Sequence, residues 1–426
     1  MNDSRRRLIG NFFNLSLLQA ANYILPLITI PYLVRVLGPE KFGLVSFAQA
    51  FIQYFVIITD YGFHLTATRK ISLYRNQTDK INEIFSSVFA AKIFLCFLSL
   101  LLLLVVVFSI EKFRVNWLLY FVTFGIVAGN MLFPVWLFQG MEQMKYITYI
   151  NVSSKAIFTF FIFIIVKTED HYLRVAFLNS AGYLFSGIIS LYVVSTAFGI
   201  RPHIPKWMSV KEEMKDGFYV FLSFIGERLY TTSNTFILGL LASNTAVGYY
   251  SAGERLVKAV QGLFQPVSQV IYPHISYTAS QSLERTLKFI RKIIYSMGGA
   301  FALASVLLFV FSKDIVLFLY GTGFENTESV MRIMSFLPFV GVMGNIFGTQ
   351  IMLNFNMQSA FARIIICGSL IHIPVSLFLT NNYGMTGMAT SVMITETILA
   401  ISMFVMTIVK GINVFKIRAK SGVFNV

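Results

Sequence analysis

The chain has 426 residues, 56% hydrophobic and 12% charged, with a mean hydropathy of +0.71. A water-soluble globule of this size needs about 25% charged residues to cover its surface, so that class is excluded. The net charge of +15 marks membrane topology and no nucleic-acid partner is expected.

Apolar runs follow one another along the whole chain, each long enough to cross a bilayer core of about 30 Å, which takes about 20 helical residues. They read 8–37, 42–66, 84–109, 116–138, 146–167, 172–198, 216–241, 246–273, 290–312, 330–355, 359–380 and 384–409. The alternating decads of an outer-membrane barrel are absent, which leaves helices as the spanning structure. The expected fold class is an all-α polytopic membrane protein, with about twelve transmembrane helices in two six-helix lobes around a central cavity.

Arg5, Arg6 and Arg7 precede the first run. That run is too long for a signal peptide and no small-residue cleavage pattern follows it, so it reads as a retained helix. It carries Asn11, Asn14, Gln19 and Asn22 on one side, then Pro26 and Pro31, which bend a helix by removing backbone donors. The second run ends with Asp60 and His64, one turn apart and ahead of Arg69, and reads as a helix-end polar cluster. Lys92 and Lys155 lie on the third and fifth runs, towards their cytoplasmic side, where long side chains can snorkel.

The seventh run carries Glu227 and Arg228, with Thr231, Asn234 and Thr235 returning to the same side. The string Gly-Glu-Arg-Leu occurs at 226–229 and again at 253–256. On the eighth run Ser251, Glu254, Arg255, Lys258, Gln261, Gln265 and Gln269 share one stripe, with Leu256, Val257, Val260, Leu263, Phe264 and Val267 opposite. A full-length polar stripe cannot face lipid. Glu254 and Lys258 can pair at i, i+4, which still leaves Arg255 and three glutamines to line a cavity or a polar seam. His372 and Glu396 are lone deep ionisable groups on the last two runs.

Two halves emerge. Residues 1–198 form an N-terminal six-helix lobe, 199–215 a cytoplasmic linker, and 216–426 a C-terminal lobe with a cytoplasmic tail. Phe42-Gly43-Leu44-Val45-Ser46 follows the turn 38–41, and Val247-Gly248-Tyr249-Tyr250-Ser251 follows the turn 243–246, an offset of 205 residues. Six runs per half make the repeat parallel, the build of many transporters. With both termini inside, twenty-one Lys and Arg residues fall in cytoplasmic segments against seven outside, as the positive-inside rule requires. Cys96 and Cys367 lie within runs and imply no disulfide.

The cations Arg228, Arg255, Lys258, Lys92 and Lys155 outweigh Glu227, Glu254 and Glu396, a balance that suits an anionic substrate. Arg in particular meets phosphate oxygens in bidentate fashion. Nothing reads as a metal site, a nucleophile motif or a phosphate-cradling loop, so no catalytic residue and no metal are expected.

Asn14-Leu15-Ser16-Leu17-Leu18-Gln19 with Pro26, then Pro31-Tyr32-Leu33-Val34-Arg35-Val36-Leu37-Gly38 and Phe42-Gly43, resembles the first hairpin of O-antigen flippases of the Wzx type. Asp60-Tyr61-Gly62-Phe63 to Arg69-Lys70 resembles that family's second-helix ending, and Gly248-Tyr249-Tyr250-Ser251 with Glu254-Arg255-Leu256 its eighth-helix signature. The family belongs to the multidrug/oligosaccharidyl-lipid/polysaccharide exporter superfamily.

The resemblance implies translocation of undecaprenyl-pyrophosphate-linked oligosaccharide repeat units from the cytoplasmic to the periplasmic leaflet of the inner membrane, by alternating access driven by an H⁺ or Na⁺ gradient and without a cofactor. A polysaccharide polymerase and a chain-length regulator are the implied partners, besides the lipid bilayer. On this reading Arg228, Arg255, Lys258, Lys92, Lys155, Gln261 and Asn234 meet the pyrophosphate–sugar head, and Glu227, Glu254 and Glu396 orient them or couple the ion. The rival readings are a cation-coupled multidrug antiporter, which would favour an acidic cavity, and a membrane-embedded polymerase or ligase, which would need larger outer loops.

Overall fold

The computed structural model describes the backbone of residues 3–415 and the side chains of residues 17–222 and 232–415. The described residues are overwhelmingly helical, without a strand. In chain order the helices are α1 (Asp3–Asp60), α2 (Phe63–Leu73), α3 (Thr78–Ser109), α4 (Glu111–Arg114), α5 (Trp117–Leu132), α6 (Val135–Gly140), α7 (Met144–Ile165), α8 (Tyr172–Ala197) and α9 (Trp207–Leu241). They continue as α10 (Asn244–Gly262), α11 (Phe264–Ala279), α12 (Leu283–Ile293), α13 (Gly299–Val310), α14 (Ser312–Tyr320), α15 (Thr327–Met334), α16 (Leu337–Asn345) and α17 (Gln358–Val409).

Eight helical stretches among the described residues are long and apolar enough to cross a membrane. Two of them, Leu17–Leu73 and Gln358–Val409, are far longer than one crossing needs. Each folds back at a glycine in the left-handed region, Gly38 at φ 66° and Gly384 at φ 57°, a backbone state that a Cβ disfavours. α10 is crowded by Glu254, Arg255 and Lys258, and α11 has only 16 residues, so neither stands among the eight.

The chain forms two compact units. Unit 1 comprises residues 1–239 with 243–248, and unit 2 comprises 240–242 with 249–426. The division therefore falls at the α9–α10 turn, beyond the linker expected at 199–215. The reason is the lengthwise packing of α9 in unit 1: Phe236 stacks on Phe47 and Phe51, Tyr54 donates to Ser233 Oγ at 2.9 Å, and Tyr61 stacks on Phe221.

Within unit 1, Phe63, Ala67 and Ile71 of α2 pack on Phe85, Val88 and Ala91 of α3 and on Trp136 and Phe138 of α6. α5 and α8 approach closely because both present small residues. A Cβ on Gly129 would sit against the Tyr183–Leu184 backbone, and Ser180 Oγ donates to the Val122 carbonyl at 2.6 Å. Without a hydrophobic drive between helices in lipid, such small-residue seams supply the packing.

The repeat seen in sequence has a structural counterpart. A Cβ on Gly43 would overlap the carbonyl of Asn244, and one on Gly248 would overlap the carbonyl of Pro39. Both partners and both glycines are separated by the same 205 positions, so each copy's glycine receives the other copy's turn.

Unit 2 is built on Phe264, Ile275, Leu287, Ile290, Val342, Ile346, Ile351 and Met403. Two π-helical segments, Ile294–Gly298 and Ile346–Met352, interrupt its helices. Both units turn large apolar side chains outward, among them Phe160, Ile188, Phe318, Leu370 and Phe378. For a chain this apolar, that surface is the lipid face.

Candidate substrate and coupling sites

The eighth run is interrupted once, between α10 ending at Gly262 and α11 starting at Phe264, with Leu263 itself still in the right-handed helical region (φ −62°, ψ −21°), so the polar stripe has two parts. Its first part is covered: Ser251 and Glu254 are buried and Arg255 is half-buried, near Tyr320. Tyr320 itself donates to the Ala252 carbonyl at 2.9 Å. Glu254 accepts from Tyr250 Oη at 3.2 Å and pairs with Lys258 Nζ at 2.8 Å. The Lys258 side chain remains 47% exposed. Gln265 and Gln269 are exposed too, whereas Gln261 lies against Gly341 of α16. The sequence-expected i, i+4 pair therefore exists, and Lys258 still offers an open ammonium beyond it.

Deeper in unit 2, Gln350 of the second π-helical segment is fully buried and donates to Ser268 Oγ at 2.9 Å, while Ser268 Oγ donates to Asn345 Oδ1 at 2.9 Å. π segments place side chains out of the regular helical rows and recur at functional sites, and no periodicity in the sequence pointed to this trio. On α17, His372 is buried with Nδ1 2.9 Å from Thr395 Oγ1, and Thr395 in turn donates to the Ser391 carbonyl. Glu396, one residue on, is half-buried.

In unit 1, Lys155 donates to Asn22 Oδ1 at 2.6 Å, which joins α7 to the polar side of α1. Lys92 does not reach the surface by snorkelling: its side chain is 5% exposed, with Nζ 3.8 Å from Asp60 Oδ1. Asn234 is buried. Glu227 and Arg228 lie outside the described side chains.

The structure adds ionic groups that a reading by single runs passes over. Lys70 bridges Glu213 and Asp216 across α2 and α9, at 2.9 and 2.7 Å. Arg332 of α15 pairs with Glu328 at 3.0 Å and donates to Ser312 Oγ at 2.9 Å. The Arg332 pair was legible as an i, i+4 spacing, but its glutamate falls in a stretch that reads as a loop. No cluster of three or more potential metal ligands occurs among the described residues.

The fold matches solved transporters. One is an inward-facing multidrug resistance transporter of the MATE family of the MOP superfamily, with a TM-score of 0.68 at 13% identity over 94% of this chain and 98% of that one. Another is the lipid II flippase MurJ in an inward closed conformation, with a TM-score of 0.70 at 15% identity over 92% of this chain and 87% of that one. The chain thus shares the fold of these two structures.

Sequence likeness narrows this. A putative O-antigen transporter of Escherichia coli K12 is 34% identical over 93% of this chain and 95% of its own length. A second, from Shigella dysenteriae, is 28% identical over 92% and 98%. Residues 8–279 match the family described as polysaccharide biosynthesis protein. The chain belongs to that family.

Proposed function

We propose that the protein flips undecaprenyl-pyrophosphate-linked O-antigen repeat units from the cytoplasmic to the outer leaflet of a bacterial inner membrane, by alternating access coupled to an ion gradient. The observation that carries this reading is the 34% identity, nearly end to end, to a protein named as an O-antigen transporter. The charge pattern supports it. Lys258 presents an ammonium held in place by Glu254, which suits a multiply charged pyrophosphate better than a cationic drug. Cytoplasmic termini follow from the excess of basic residues in the segments placed inside. A polysaccharide polymerase and a chain-length regulator are the downstream partners that this reading implies.

The test uses the purified protein in proteoliposomes and a fluorescent undecaprenyl-pyrophosphate trisaccharide, whose leaflet is read with a membrane-impermeant quencher. The wild type is expected to move the probe. The paired variant Glu254→Gln/Lys258→Gln, which removes the cation without leaving a lone buried carboxylate, is expected to slow it by at least about tenfold, the loss of one charge-assisted contact. A wild type that leaves the probe in place while extruding a cationic dye would replace this reading with drug antiport.

A further inference from the structure

A cleft of about 750 Å³ opens between α2, the start of α3 and the first turns of α9, inside unit 1. A second, of about 440 Å³, adjoins it at the segment 203–206 and shares Glu83, Ser87 and Ser209 with it. Both volumes fall in the range of small-molecule sites. The positive-inside rule assigns the segments that frame them, 67–83 and 199–215, to the cytoplasmic side.

Two ties fix the walls. On one side Lys70 of α2 holds Glu213 and Asp216 of α9, at 2.9 and 2.7 Å. On the other, Asn82 Oδ1 and Ser86 Oγ of α3 accept from the backbone N–H groups of Arg201 and His203, each at 3.1 Å. The chain entering α9 is thus fastened to both neighbours, and the cleft lies between the fastenings.

The wall chemistry selects a ligand class. Among the described side chains, four bases and four acids line the larger cleft, and Lys80 pairs with Glu83 at 2.9 Å as Lys70 does with its two acids. A polyanion would meet the carboxylates and a cation the ammonium groups, so neither sign is favoured. Hydrogen-bonding capacity remains, because a carboxylate accepts at about four lone-pair sites. Glu83 Oε2 and Asp216 Oδ2 each serve a lysine, and both side chains are about half exposed. At the floor, buried Ser87 Oγ and Glu213 Oε2 have no hydrogen-bond partner among the described residues. At the rim stand two aromatic rings, Tyr219 at 75% exposure and Tyr74 at 39%.

A ligand matched to these walls donates to carboxylates, accepts from ammonium groups, carries little net charge and covers an aromatic face. A saccharide meets all four demands. Each hydroxyl both donates and accepts, and the C–H face of a sugar ring packs on an aromatic ring whose face is electron-rich.

We propose that this cleft is a cytoplasmic saccharide-binding subsite, in which Asp216 and Glu83 accept sugar hydroxyls and Tyr219 packs against a sugar ring. Its place in a transport cycle rests on the flippase reading above. It adds the part of the substrate that this chain discriminates: the sugars differ between lipid-linked repeat units, whereas the pyrophosphate end is common to them.

The test measures binding apart from transport. The purified full-length protein in nanodiscs is titrated with the free repeat-unit oligosaccharide, released by mild acid from the lipid-linked pool of the producing strain, and saturation-transfer NMR reports contact. The wild type is expected to transfer saturation to sugar-ring protons. Asp216→Ala should raise the Kd at least about tenfold, the loss of one hydrogen bond to a charged group. Tyr219→Ala should weaken binding as well, and Tyr219→Phe, which keeps the ring, should restore it. Glu83→Ala, on the opposite wall, gives the same readout should either α9 variant fail to fold. Folded variants that bind as the wild type does would overturn the proposal. So would a wild type without saturation transfer, or a signal that inorganic pyrophosphate displaces. A wild type that binds the sugar through the cleft but leaves the lipid-linked trisaccharide probe in its leaflet would support the subsite and overturn the flippase reading.

Discussion

Replacing Lys70 with methionine isolates the ionic tie between α2 and α9. Lys70 Nζ lies 2.9 Å from Glu213 Oε1 and 2.7 Å from Asp216 Oδ2, with side-chain exposures of 28% for Lys70, 8% for Glu213 and 52% for Asp216. The half-exposed Asp216 arm is worth at most about 1 kcal/mol after solvent screening. Glu213 decides the outcome. Its Oε2 already has no hydrogen-bond partner among the described residues, so losing Lys70 strands both oxygens. Breaking a buried pair costs about 3–5 kcal/mol. Partial access to Lys70, and the option of protonating the acid, place the expected loss near the lower end, at about 3 kcal/mol.

The pH dependence supplies a second reading of the same group. Burial pushes the Glu213 carboxyl up, and Lys70 partly pulls it back. With the folded value above the unfolded one, the associated stability is complete below the unfolded value and is lost as pH rises through the folded one. The penalty of Lys70→Met should therefore shrink on acidification. Steric trapping of doubly biotinylated protein in bicelles measures the unfolding free energy directly. Lys70→Met/Glu213→Leu should recover most of the loss, since an apolar replacement avoids the stranded charge. A Lys70→Met loss within about 0.5 kcal/mol, the range of an ordinary surface change, would show that the tie carries no load.

The glycine contact makes a different demand. Gly43→Ala or Gly248→Ala would each drive a methyl into a backbone carbonyl and should cost about 1–3 kcal/mol, as overpacking does. The double variant should cost less than the sum, because either methyl already separates the two turns; strict additivity in a double-mutant cycle would argue against a shared contact. On α17, Thr395→Val removes the partner of buried His372 Nδ1 and should destabilise by about 1–3 kcal/mol. An unchanged midpoint in a detergent melting series would contradict that.

Helix, membrane and polarity were legible in the residues because each is local. An apolar run declares a crossing by its length, Gly38 and Pro39 declare a turn, and Glu254 and Lys258 declare a pair because 3.6 residues make a turn whatever lies beyond the helix. The 205-residue repeat was visible in the same way, as a string. Its meaning was not: that Gly43 receives the turn at Asn244 while Gly248 receives the one at Pro39 is a matter of packing.

Pairing between helices depends on their rotation and tilt, which periodicity leaves open. Lys92 therefore read as a cation able to snorkel or to line the cavity, and only the fold set it beside Asp60. Lys155 finds Asn22 from 133 positions away, and Lys70 finds Glu213 in the segment read as the linker between lobes. The break after Gly262 has its mark in Pro266, which offers no N–H to the Gly262 carbonyl, whereas the π segment around Gln350 leaves none. The sequence by itself determined that this chain lives in a bilayer and carries cations there. The tertiary structure decided which of them are spent on carboxylates and which stay open, because a charge's partner in low dielectric is set by distance in space.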